Sequence, residues 1–76
     1  MKRIIIMKEN EKTKIVLIEK HKIKDIIGYQ KNNEEFLINI KKLMKYIENG
    51  VEFSNTAFNL TYKMLVKLMI RQKNTI

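Results

Sequence analysis

Apolar residues recur along this chain with two different periods. In residues 3–8 (RIIIMK) and 13–19 (TKIVLIE) they form β-branched runs, Ile4 to Ile6 and Ile15 to Ile18, as strands favour. The polar tetrapeptide Glu9-Asn10-Glu11-Lys12 between them has the length and chemistry of a hairpin turn, so an N-terminal antiparallel β-hairpin is expected. Neighbouring residues of a strand point to opposite faces. Consecutive apolar residues therefore load both faces of the hairpin, and both are expected to be covered, one by helices and the other by a partner.

Residues 20–31 (KHKIKDIIGYQK) admit two readings. Ile23, Ile26 and Ile27 stand at i, i+3 and i+4, which suits one helical turn ending at Gly28, while the Lys-rich start equally suits a third strand. The spacing favours a short helix at 21–28.

Further on the period becomes helical. Phe36, Leu37, Ile40, Leu43, Met44 and Ile47 fall within an arc of roughly 120° at 100° per residue. Asn33 serves as an N-cap, Glu34 and Glu35 place negative charge at the helix start, and Asn49-Gly50 ends it, giving a helix over about 34–48. On that helix Lys41, Lys42 and Lys45 face solvent, Ile38 points away from the core, and Tyr46 lies at the flank.

After Val51-Glu52-Phe53, Ser54 or Asn55 caps a second helix over about 55–72. Its apolar positions, from Ala57 and Phe58 to Leu68 and Met69, spread over roughly 200°, wider than a surface helix of a monomer needs. The polar remainder is a narrow stripe of Thr56, Asn59, Lys63, Lys67 and Arg71, interrupted by Leu60 and Ile70. The expected fold class is α+β: one domain over 1–76, in which the hairpin packs against two amphipathic helices.

Composition narrows the function. A chain of 76 residues buries a modest core, and without cysteine neither a disulfide nor a thiolate metal site supplements it. The missing cysteines and the shortness of the apolar run Ile4 to Met7 point to a cytoplasmic protein with no membrane span. Sixteen basic against eight acidic residues give a net charge of +8, the electrostatic mark of a protein that meets a polyanion. Only Arg3 and Arg71 are arginines, which counts against base-specific readout of DNA. Lys, Ile and Asn dominate, as they also do under an AT-rich codon bias.

Reactive groups are scarce. His21, Asp25 and Ser54 are each the single residue of their type, and the close carboxylate pairs, Glu9 with Glu11 and Glu34 with Glu35, lack the companions of a metal site. The two glycines stand apart, so no phosphate-binding loop is present. His21 with Glu19 and nearby lysines sketches a ribonuclease-type toxin, but a solvated histidine at a strand end explains it more simply. Residues 43–68 sketch a helix-turn-helix, or a ribbon-helix-helix with a preceding strand, although the turn is long and the second helix too apolar. No catalytic residue and no cofactor is expected.

In size, composition and lack of catalytic groups the chain resembles the accessory proteins of phages and other mobile elements. That implies a non-catalytic binding protein, an inhibitor of the anti-defence type, docking on nucleic acid or on a nucleic-acid-binding host protein. The expected contact surface is Ile38, Lys41, Lys42, Lys45 and Tyr46, with Lys63, Lys67 and Arg71 as a second. A small DNA-binding regulator is the alternative, and homo-oligomerisation is expected from the two-sided strands.

Overall fold

The computed structural model describes the backbone of residues 1–32 and 35–74 and the side chains of 1–32 and 35–71. In chain order its elements are β1 (Lys2–Glu9), β2 (Lys12–Glu19), β3 (Lys22–Lys31), β4 (Leu37–Ile38), α1 (Ile40–Glu48), β5 (Glu52–Phe53) and α2 (Asn55–Asn74). The class is α+β, as expected, but strands dominate: the hairpin is two members of a five-stranded sheet with the order β4-β3-β2-β1-β5. β1, β2, β3 and β4 pair antiparallel in succession, and β5 joins β1 in parallel through Arg3 and Ile4. α1 carries the chain from one edge of this sheet to the other.

The expected helix at 21–28 is instead the long strand β3. Two breaks in its register against β2 explain the misleading pattern. Val16 faces Ile26 while Ile15 faces Gly28, and Ile18 faces Ile23 while Leu17 faces Asp25, so Ile27 and Lys24 are extra residues. Each bulge interrupts the alternation of a strand, and apolar residues at 23, 26 and 27 then imitate a helical turn. The β2–β3 turn is made by Lys20 and His21, both left-handed at φ 53° and 65°, without the glycine or asparagine that would announce it.

α1 is shorter than expected. Asn39 caps it, its side-chain oxygen accepting from the Lys42 amide at 3.1 Å. The expected cap Asn33 and first acidic residue Glu34 lie outside the described residues. Leu37 and Ile38 extend instead as β4, paired with Tyr29 and Gly28. Gly28 permits that approach, since a Cβ there would stand 2.8 Å from the Leu37 carbonyl oxygen. α2 begins where expected, with Ser54 as cap, its Oγ accepting from the Ala57 amide at 3.2 Å.

Cross-strand pairing assigns the sheet's faces, because directly paired residues share a side. Ile4 with Leu17 and Ile6 with Ile15 face the helices, and the core joins Ile4, Ile15, Leu17 and Ile27 to Leu43 of α1 and Ala57 of α2. Each large aliphatic side chain buried there contributes about 1.5–3 kcal/mol of transfer free energy. Ile5, Val16, Ile18, Ile23, Ile26 and Tyr29 point to the opposite face, which bears neither helix.

Non-glycine residues in the left-handed region carry local strain. Replacing Lys20 by Asn and His21 by Gly is expected to raise stability by about 1 kcal/mol, measured by urea denaturation. An unchanged or lowered midpoint would show that the native turn is unstrained.

Candidate binding surfaces

The first expected surface is rearranged. Ile38 packs against the core, because β4 turns its side chain to the helix side of the sheet. Tyr46 also packs against the core, while Met44 and Ile47, expected inside, are exposed. The shift follows from the shorter helix: once residues 36–38 leave it, the arc that faces the sheet is defined by Leu43 and Tyr46. Lys41 and Lys45 remain exposed. The apolar anchors assigned to them are thus not beside them on the surface.

Lys42 and Tyr46 have a different task. The Lys42 ammonium donates to Asp25 Oδ1 at 2.7 Å, and the Tyr46 hydroxyl donates to Oδ2 at 2.6 Å. Asp25 Oδ1 also accepts from the Ile26 amide at 2.9 Å. Both carboxylate oxygens are thereby used to fasten α1 to β3. The Lys42 ammonium, and next the Tyr46 hydroxyl, hold the Asp25 carboxyl below its usual range. The same hydrogen bond to Asp25 pushes the Tyr46 phenol up.

The second expected surface borders a cleft. Between the helix side of the sheet and α2 lies an open cleft of about 750 Å³ with Ile6, Phe36, Leu60 and Met64 as its apolar lining. Lys8, Lys63 and Lys67 contribute to it, with Thr13, Gln30 and Thr56 and one acidic residue, Glu35. Lys63 and Lys67 stand one turn apart on α2 and so share a side. Lys8 reaches the same cleft because it alternates with Ile4 and Ile6 along β1. Among the described residues none of these three lysines has a carboxylate within ion-pair distance. Arg71 lies farther along α2, where its guanidinium meets Glu35 at 3.6 Å with both side chains well exposed. Such a pair adds little stability.

The structure therefore joins Lys63 and Lys67 with Lys8, which the sequence reading had not singled out. The signal for Lys8 was the strand alternation itself. A third feature was also missed: the stacked pair Phe58 and Tyr62, with ring centroids 6.2 Å apart, stands exposed on α2. With Ile47, Val51, Phe53 and Leu65 it borders an apolar groove of about 190 Å³. α2 thus leaves part of its wide apolar arc unburied.

His21 sits exposed at the β2–β3 turn, on the strand ends remote in sequence pairing from the Lys8–Thr13 end of the sheet. Among the described residues no three of His, Asp and Glu converge as a metal site would require. No helix among the described residues is long and apolar enough to cross a membrane. The chain matches no protein-family model, no curated protein and no solved structure.

An aspartate with a lowered pKa adds stability that is complete above the unfolded value of about 4 and is lost as pH falls through the folded value. Asp25→Asn is expected to cost about 1–2 kcal/mol at neutral pH. The wild type then loses its advantage over the variant as pH falls below about 4, as thermal unfolding of both proteins across pH would show. A constant difference across that range would mean that the carboxylate is not the fastener.

Proposed function

We propose that this protein is a non-catalytic binding protein that holds single-stranded nucleic acid in the cleft between the sheet and α2. The observation that carries the reading is the set of Lys8, Lys63 and Lys67 around a mostly apolar lining, in which the one carboxylate among the described residues, Glu35, pairs with Arg71 and not with these lysines. Three ammonium groups over an apolar surface match a strand whose phosphates need cations and whose bases need a dry platform, here Phe36 with Ile6 and Met64. Lysine rather than arginine suits backbone contact without sequence readout. The net charge of +8 supplies long-range attraction to the same partner.

A duplex-reading motif has less support. α1 and α2 are joined by residues 49–54, which include β5, where a helix-turn-helix uses a turn of about three or four residues. β4 is a two-residue edge strand of a five-stranded sheet, too short for the ribbon that a ribbon-helix-helix builds with a second copy. The ribonuclease-toxin reading rests on His21 with Glu19 and nearby lysines at the β2–β3 turn.

A second reading is favoured by the exposed Phe58–Tyr62 pair and its groove, which suit a protein contact. In that reading the chain acts as a mobile-element accessory or inhibitor that docks on a nucleic-acid-binding host protein. A chain of charge +8 is repelled by an empty basic channel, so docking beside bound nucleic acid fits better than plugging the channel.

Fluorescence anisotropy with a labelled single-stranded oligonucleotide tests the leading reading. Three phosphate contacts give a slope of log affinity against log salt of about −2. Lys63→Glu with Lys67→Glu is expected to weaken binding at least about tenfold at low salt and to flatten that slope. Absence of binding at low salt, or equal binding by the double variant, would contradict it.

A further inference from the structure

We infer that the helix-free face of the sheet is the interface of a homodimer, in which two copies stack sheet against sheet. This inference stands on a different surface from the proposed nucleic-acid cleft and does not depend on it.

In an antiparallel sheet with one solvated face, outward positions are polar. Here Ile5 and Met7 of β1, Val16 and Ile18 of β2, Ile23, Ile26 and Tyr29 of β3 and Leu37 of β4 occupy outward positions of four adjacent strands, with Arg3 and Lys14 among them. Val16, at their centre, is fully buried by its neighbours, yet it lies outside the core cluster that joins sheet and helices. Ile23 and Ile26 are 49% and 44% exposed. Three strands about 4.8 Å apart and six residues at about 3.3 Å each, with Leu37 at their edge, give a projected patch of roughly 300 Å². An apolar face of that size matches the largest patch of a typical monomer, which is often functional.

The pairing register makes the patch complementary to itself. A twofold axis along β2 places β1 of one copy over β3 of the other. Residues at one level of the sheet then meet: Ile5 lies over the second copy's Ile26, Met7 over its Tyr29, Arg3 over its Ile23 and Ile18 over Ile18. Glu9 falls over the second copy's Lys31, an opposite-charge pair at the hairpin end. The arrangement is an isologous sandwich with strands roughly aligned, as stacked sheets prefer. The two helix sides, each with its basic cleft, remain outermost.

Two contacts are unfavourable, and they supply a signature. Lys12, level with Glu9 and Lys31, falls over the second copy's Lys12. Lys14 is outward-facing, paired with Met7 and Tyr29, and the axis brings it over its own copy. Repulsion there is screened by salt. Sedimentation velocity on the whole chain over a range of concentrations and salt is the test. A dimer is expected that tightens at high salt and on Lys14→Ile. Ile23→Glu with Ile26→Glu is expected to weaken it at least about tenfold while circular dichroism stays native, since both side chains are exposed in the monomer. Phe58→Glu with Tyr62→Glu leaves it intact. A monomer under all conditions would overturn the inference. So would a dimer that survives Ile23→Glu with Ile26→Glu, or one that is lost with Phe58→Glu and Tyr62→Glu.

Discussion

Two apolar faces and only enough helix to cover one of them set the terms for this protein. The run Ile4, Ile5, Ile6 and the run Ile15 to Ile18 load both sides of β1 and β2, and alternation leaves no choice about where each side chain goes. Leu43 and Ala57 bring α1 and α2 to the side of Ile4, Ile15, Leu17 and Ile27. Ile5, Val16 and Ile18 are left on the other side. Stability gained from burial is therefore concentrated on one face, and the other is the face proposed for association.

Polar groups adjust this division without altering it. Asp25 is drawn to the helix side by its pairing with Leu17, where Lys42 and Tyr46 satisfy it and lock α1 in rotation. That lock removes Lys42 from the pool of freely available cations and draws Tyr46 inward. Lys8, Lys63 and Lys67 are collected at the cleft by a strand and a helix from opposite ends of the chain. Function is proposed to follow charge on the helix side and apolar area on the sheet side, with no reactive group required at either.

The sequence disclosed what depends on local pattern and concealed what depends on pairing. β1 and β2 were legible because β-branched runs flank a polar turn, and the start of α2 because Ser54 precedes a helical apolar period. β3 was not, since its bulges at Lys24 and Ile27 imitate helical spacing and its turn uses Lys20 and His21 in left-handed conformations. β4 was hidden for a different reason. Leu37 and Ile38 continue a helical pattern, and only the bare Cα of Gly28 across the sheet explains why they extend. Of the expected contact residues, Lys41, Lys45, Lys63 and Lys67 stand exposed, whereas Ile38 and Tyr46 are drawn to the core by pairing and by Asp25. Lys8 belonged to a strand whose face could be assigned only once its register was known.

Contact between the outward methyl groups of two chains reports most directly on how the uncovered face is used. In an equal mixture of isotope-labelled and unlabelled protein, filtered nuclear Overhauser spectra are expected to connect the Ile5 and Ile26 methyls of different copies. Methyls of Ile5 and Ile26 that show no contact between copies, and that a soluble paramagnetic probe reaches freely at Ile26, would contradict it.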